Sequence, residues 1–410
     1  MMRAYYPSFL LSFPRPLHQV LKTTTTLPPH RPIVASYHTA RTLYHNHTHT
    51  HHPPTLRNMS IPSTQTAAVV PSIGSAIEIR TSHPVKQPKD LAPGECLVKI
   101  SHTGVCHTDL HAKQGDWPVK PMNPLIGGHE GVGEIVAIGE NTASSPVKLG
   151  DRVGIKWLAD SCLDCEFCRR GLEMNCPNCK LSGYTTDGTF SQYVVSFVHH
   201  VTPIPKGLDS AGAASILCAG VTTYKALKVS NTKAGNYVAI PGAGGGLGHL
   251  AVQYAVNMGL KVIAIDTGDA KRKLVEGLGA SAWIDFKQTK DLVGDIKKAS
   301  EGLGPHAAIV AAASGAAYTQ AVQYLREGGT LVCVGMVDKS MEVTSFWAVY
   351  KSIRIQGSYV GNRQDAIEAL DIAADGRVKV HFELKKLKDL KDVYEDLEAG
   401  KITGRVVLEV

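Results

Sequence analysis

The chain has 410 residues, 43% hydrophobic and 19% charged, the balance of a globular protein long enough for two domains. It holds no run of about 18 apolar residues, so no membrane-spanning helix is expected. The formal net charge of +7 is uneven. Arg3, Arg15, Lys22, Arg31, Arg41 and Arg57 lie in residues 1–58, the first acid is Glu78, and setting those six charges aside leaves about +1. A nearly neutral body argues against a nucleic-acid partner.

Residues 1–58 are rich in Pro, Thr, His, Ser and Tyr, with spaced arginines and no acid. That is the composition of a mitochondrial transit peptide. The plainer readings are a disordered extension, or an upstream stretch that is not always translated. Met59 opens MSIPSTQTAAVV and would serve as a start. A start at Met1 implies the mitochondrial matrix, and one at Met59 the cytoplasm. The histidine run at 45–52 reads as low complexity.

From Ile61 to Cys218, short apolar stretches broken by glycines predict a β-rich domain, with strands at 96–100, 133–139 and 151–155. Within it, GVCHTDLHA (104–112) carries Cys106, His107, Thr108, Asp109 and His111, and GGHEGVG (127–133) carries His129 and Glu130. Cys162, Cys165, Cys168 and Cys176 follow at C-x2-C-x2-C-x7-C spacing. Four thiolates this close can enclose one tetrahedral Zn²⁺ with no open position, so the cluster reads as a structural zinc site. Free thiols at metal-ligand spacing imply a reducing compartment. ILCAGVTTYKAL (216–227) adds Cys218. Singly these residues have plain readings, a buried small hydrophobe or a satisfied polar group. Spacing alone does not bring Cys106, His129 and Cys218 together.

From Gly220 to about Ser352 the rhythm changes to strand (237–240), helix (247–259), strand (261–266), helix (271–279) and strands at 307–313 and 330–335. Apolar strands alternating with helices predict a doubly wound parallel sheet. The first strand runs into PGAGGGLG (241–248), where Gly242, Gly245 and Gly248 give G-x-x-G-x-x-G with Gly244 and Gly246 between them. Such a loop lets the backbone approach a pyrophosphate at a helix N-terminus. Asp266 ends the next strand, where a carboxylate accepts from ribose hydroxyls and favours NAD over NADP. The tail, from IRIQGSY to RVVLEV, returns to mixed α and β.

Together GVCHTDLHA, GGHEG, GIKW (154–157), LSGYTTDGTF (181–190), LCAG, YKAL, SYVGNR (358–363) and the thiolate cluster resemble the zinc-containing medium-chain alcohol dehydrogenases, specifically the yeast-type ethanol dehydrogenases of fungi. The resemblance runs from about Ser60 to the C-terminus. It implies an α/β chain with a GroES-like catalytic domain over 59–219, a Rossmann NAD-binding domain over 220–352 and a return segment over 353–410. It implies two Zn²⁺ per subunit. Cys106, His129 and Cys218 would hold the catalytic one, with Glu130 nearby and Asp109 orienting His129. Zinc would polarise a small alcohol or aldehyde, the proton would leave through Thr108 and His111, and hydride would pass to NAD⁺. His107, Lys271 and Arg405 would join Gly242, Gly244, Gly245, Gly246, Leu247 and Asp266 on the cofactor. Trp117, Trp157 and Met336 would wall a pocket for short primary alcohols such as ethanol. The resemblance further implies a homo-oligomer, most often a tetramer.

The chain departs from the family at Lys113 and Gln114, which make the pocket mouth more polar, at Pro241, and in the extra loop glycines. Cys179, three residues past Cys176, is a rival fourth ligand, though family spacing favours Cys176. Cys96, Cys179 and Cys333 are left without a metal role. Two alternatives remain, a relative acting on longer, aromatic or polyol substrates, and a non-catalytic zinc module. The second leaves the Cys106, His129 and Cys218 set unexplained.

Overall fold

The computed structural model describes residues 60–337 and 340–410; the basic leader, with its transit-peptide and start-site readings, lies outside the described residues. A seven-stranded sheet carries the β-rich domain. Its main path runs Thr202–Pro203, Arg152–Ile155, Gly131–Ile138, Glu95–Val105, Arg405–Glu409 and Phe382–Lys386, and Tyr193–Phe197 also pairs with Glu95–Val105.

Glu95–Val105 alternates as a strand should: Cys96, Val98 and Ile100 enter one apolar cluster, and Leu97 another. Its register shifts against Gly131–Ile138 at two points, which bends the strand. The terminal strand Arg405–Glu409 pairs antiparallel with it, Val406 opposite Val105. That pairing sets Arg405 beside Cys106, which no sequence spacing connects.

The second domain is a six-stranded parallel sheet in the order Ala282–Asp285, Lys261–Asp266, Tyr237–Pro241, Ala307–Val310, Thr330–Cys333, Arg354–Gly357. Numbered along the chain that is 3-2-1-4-5-6, the doubly wound dinucleotide-binding arrangement. Its central strands are apolar because both faces are covered. Val238, Ile240, Val262, Ala264, Ala307 and Ile309 pack into one cluster, and Ala239, Ile263, Ile265, Ala308 and Val310 into the other.

The expected class holds, a β-rich domain beside a doubly wound parallel sheet. The boundary expected at 352 does not. The sixth strand, Arg354–Gly357, pairs with Thr330–Cys333 and belongs to the parallel sheet. It is an exposed edge strand with Arg354 and Gln356 in it, so it lacks the apolar run of its neighbours. The strand Ala282–Asp285 also escaped the reading, being short and half-buried.

Candidate active site and metal centres

Val105 ends the central strand, and helix His107–Gln114 begins at once with Cys106 as its N-cap. Asp109, at the third helical position, turns its carboxylate back: Oδ2 accepts the Cys106 N–H at 2.9 Å. Oδ1 accepts the Gly128 N–H at 3.2 Å and meets His129 Nδ1 at 2.8 Å. With Nδ1 held, Nε2 of His129 faces Cys218, 3.2 Å from its Sγ. Cys218 comes from the wide helical turn Ile216–Gly220, which leads into helix Val221–Lys228.

The ligand atoms of Cys106, His129, Glu130 and Cys218 all lie within 4.8 Å of one another, and all four residues are buried. Tetrahedral Zn–S and Zn–N bonds place sulfur and nitrogen about 3.6 Å apart, so the set fits zinc with little adjustment. Glu130 is fully buried and pairs with buried Arg405, while its Oε2 has no hydrogen-bond partner among the described residues. An orphaned buried carboxylate oxygen beside two thiols suits a cation. A Cβ on Gly104 would fall 2.0 Å from that oxygen, so the position opposite must be glycine.

The charges are mutually adjusted. Hydrogen bonding from Cys218 holds the Cys106 thiol well below its usual range, and the same bond, with burial, pushes Cys218 well above it. Burial works against a charged His129, but Asp109 and Cys106 outweigh it and raise its pKa. Burial lifts Glu130 to about 7 against the pull of Arg405.

The second centre is Cys162, Cys165, Cys168 and Cys176, also within 4.8 Å of one another. The Cys162 Sγ lies 4.0 Å from Cys168 and 3.5 Å from Cys176. Four sulfurs around zinc stand about 3.8 Å apart, so this cage fits as well. Backbone N–H groups of Asp164 and Cys165 stabilise the Cys162 thiolate, taking its pKa down to about 6. Cys176, not Cys179, belongs to the cage. Its surface is mixed in charge, with Arg169 on Asp164 and Arg170 on Glu166.

A cavity of about 580 Å³ joins the first centre to the parallel sheet. Cys106, His107, Thr108, His111, Trp117 and Cys218 line it from one domain. Arg405 lines it from the same domain, and Gly242, Gly245, Gly246, Leu247, Asp266, Lys271 and Met336 line it from the other. It lies at the carboxyl ends of the parallel strands, where such sheets take nucleotides. Gly242 adopts φ +83°, and a Cβ on Gly248 would fall 1.9 Å from the Gly242 carbonyl oxygen, so the turn requires both glycines. Gly244 lies under Lys271, where a Cβ would be 2.5 Å from the lysine Cβ. Asp266 accepts the Gly244 N–H at 3.0 Å and Lys271 Nζ at 3.1 Å.

Arg405, expected on the cofactor phosphates, lines the cavity beside the glycine loop while its guanidinium also pairs with Glu130. One expected placement differs. Trp157, expected on the pocket wall, is buried behind it, edge-on to His129 with ring centroids 5.2 Å apart. Its Nε1 donates to the Tyr359 hydroxyl at 2.6 Å. Trp117 and Met336 form the wall itself. Sequence reasoning missed Tyr359, for which distant positions give no signal. It also missed Asp116, whose carboxylate meets His111 Nδ1 at 2.9 Å. Gly115, at φ +62°, ends the helix and turns the chain back to make that contact, and Trp117 stacks on His111 at 5.2 Å.

Comparison with known proteins agrees with both halves. Residues 92–206 match the alcohol dehydrogenase GroES-like domain, and residues 246–375 the zinc-binding dehydrogenase domain. Alcohol dehydrogenase 1 of Neurospora crassa is 49% identical over 85% of this chain and 98% of its own length. Alcohol dehydrogenase 1 of Emericella nidulans is 48% identical over 86% and 99%. Among solved structures, the alcohol dehydrogenase of Aeropyrum pernix superposes with a TM-score of 0.76 at 32% identity, covering 84% of this chain and all of that one. Acetophenone reductase from Geotrichum candidum, in complex with NAD, gives 0.74 at 28% identity, covering 85% and 98%.

Proposed function

The chain belongs to the zinc-binding medium-chain alcohol dehydrogenases, and from that membership we propose that it interconverts short primary alcohols, ethanol first among them, and their aldehydes with NAD⁺. The observation that carries this is the single cavity lined by the Cys106 and Cys218 sulfurs on one side and by the glycine loop on the other. Zinc held by Cys106, His129 and Cys218 supplies a Lewis acid for the alcohol oxygen, and NAD⁺ supplies the hydride acceptor.

The residues do the rest. Asp109 fixes the His129 tautomer. Thr108 and His111 lie three apart on one helix and both line the cavity, so they form a path for the hydroxyl proton. With Nδ1 on Asp116, His111 offers Nε2 to that proton, and its side chain, 33% exposed, can pass it to water. Bound across the glycine loop, NAD⁺ would supply the acceptor for the hydride of the alcohol carbon, leaving the aldehyde. Asp266 supports NAD over NADP, since a second negative charge beside it would be repelled. Trp117 and Met336 narrow the cavity and favour short chains.

A homo-oligomer is part of the same reading. Strand Arg354–Gly357 has no neighbour on its outer side among the described residues, and Phe346, Trp347, Val349 and Tyr350 of the preceding helix are exposed. An open edge next to an apolar patch supports pairing of two copies there.

The test is NAD⁺ reduction by the purified protein across primary alcohols of increasing length. Highest kcat/KM at ethanol, falling with length, supports the proposal. Preference for long, aromatic or polyol substrates refutes the pocket argument and leaves the dehydrogenase.

A further inference from the structure

Helix Gly248–Asn257 follows directly on the glycine loop, and His249, Gln253 and Asn257 stand in a row along it at four-residue spacing. All three side chains end on the main chain of one segment of the other domain, residues 377–381. His249 Nε2 accepts the His381 N–H at 3.2 Å. Gln253 donates to the Lys379 carbonyl at 2.9 Å and accepts the Lys379 N–H at 2.8 Å. Asn257 donates to the Arg377 carbonyl at 2.9 Å. Four helical residues rise about 6 Å, and two extended residues about 6.6 Å. The ladder therefore stays in step over three rungs.

The top rung is tied at both ends to the cofactor loop. His249 Nδ1 donates to the Gly245 carbonyl at 3.0 Å. The imidazole is fully buried, and burial takes its pKa down to about 4 against the raising effect of that carbonyl. It is neutral at working pH, one nitrogen donating and the other accepting. On the other side, the His381 carbonyl accepts the Arg405 N–H at 2.9 Å. Arg405 then lies over the loop, where a Cβ on Gly246 would come 3.0 Å from Arg405 Cδ. The contacts close a ring through Gly245, His249, His381, Arg405 and Gly246.

We propose that His249 and Gln253 are positioning residues for the dinucleotide: they set the height of the 379–381 segment, and through it of Arg405, against the nucleotide loop. This rests on the NAD reading above. It assigns to two side chains that touch no reacting atom a control over cofactor affinity.

The experiment is a fluorescence titration of the zinc-loaded full chain with NADH, alongside steady-state kinetics and thermal melting. His249→Phe and Gln253→Leu keep bulk and remove every hydrogen bond that each side chain makes to the 379–381 segment. Asn257→Leu removes the rung farthest from the loop. The first two are expected to raise the NADH Kd and the KM for NAD⁺ about tenfold without lowering kcat. Asn257→Leu is expected to lower Tm and leave Kd unchanged. If His249→Phe does not fold, Gln253→Leu carries the test. An unchanged Kd in the folded variants, or an equal rise in all three, overturns the proposal. A wild-type protein that binds no NADH overturns the NAD reading itself.

Discussion

Asp109 satisfies three donors with two oxygens, drawn from the segments that carry Cys106 and His129. Removing it leaves the Cys106 and Gly128 amides and the His129 ring unpaired in a buried site. Asp109→Ala is expected to weaken zinc at this centre by about 10–100-fold while the four-cysteine cage keeps its ion. Metal content after graded chelation reads this directly: two zincs in the parent and one in the variant at intermediate chelator. Equal retention of both would show that Asp109 does not support the site. The protonation of the same groups gives a second expectation. His129 and Cys218 both have raised pKa values in the metal-free centre, so near neutrality each holds a proton on the atom that must bind zinc. Loading the ion must expel those protons, so affinity for the catalytic zinc should fall as pH falls. Calorimetric titration of zinc into the apoprotein, in buffers of different ionisation enthalpy, counts them. A binding enthalpy independent of buffer would contradict the assignment.

The four-cysteine lobe does more in this fold than hold a metal. Glu173, buried on its last turn, accepts the Arg363 N–H at 3.1 Å and Arg363 Nε at 2.7 Å, and Asn362 donates to the Gly171 carbonyl at 3.0 Å. The chain just before Asn362 is cavity wall: Ser358, Tyr359 and Val360 line it, and Tyr359 holds Trp157. Glu173→Ala should therefore cost about 2 kcal/mol of stability, since a charged hydrogen-bond pair is lost but Arg363 can still reach water. It should also raise KM for the alcohol. Cys165→Ala should lower Tm further, because the zinc that closes the lobe contributes to folding. Melting curves and alcohol KM, measured together, separate the two effects. A lowered Tm with unchanged KM would confine the lobe to a structural role. None of this coupling is legible along the chain. The C-x2-C spacing announces the cage, because four ligands within one short run need no tertiary information. The glycine loop and Asp266 are legible for the same reason, lying within one strand-turn-helix-strand unit. Cys106, His129 and Cys218 meet only through strand register and the packing of the helical turn Ile216–Gly220, so their grouping comes from family resemblance, not from spacing. Asp116, Tyr359, Glu173 and Arg363 carry ordinary polar signals, and their partners are fixed by packing alone.

At the scale of the molecule, the cavity owes its shape to a chain that crosses between domains and returns. The β-rich domain is begun before residue 206 and completed by the last strand, Arg405–Glu409, which pairs Val406 with Val105. The parallel sheet is spun out between, and its final strand is left at the edge with all four residues exposed. A parallel edge with unsatisfied backbone groups, flanked by Phe346, Trp347, Val349 and Tyr350, is a liability in a lone subunit. Two copies joined edge to edge would pair those groups and cover the aromatic helix in one step, without touching the cavity walls formed by Trp117 and the glycine loop. The chain itself weighs 44.0 kDa, so light scattering on eluting protein should return a multiple of that mass. Trp347→Glu places a charge in the patch, with Val349→Glu as a second insertion two residues on. Each should shift the protein toward the single-chain mass, since burying an unpaired carboxylate between subunits costs several kcal/mol. The variants should keep their zinc and bind NADH, because neither residue reaches the ligand clusters or the loop. A parent that elutes at the single-chain mass, or variants that stay assembled, would place any contact between copies elsewhere on the surface.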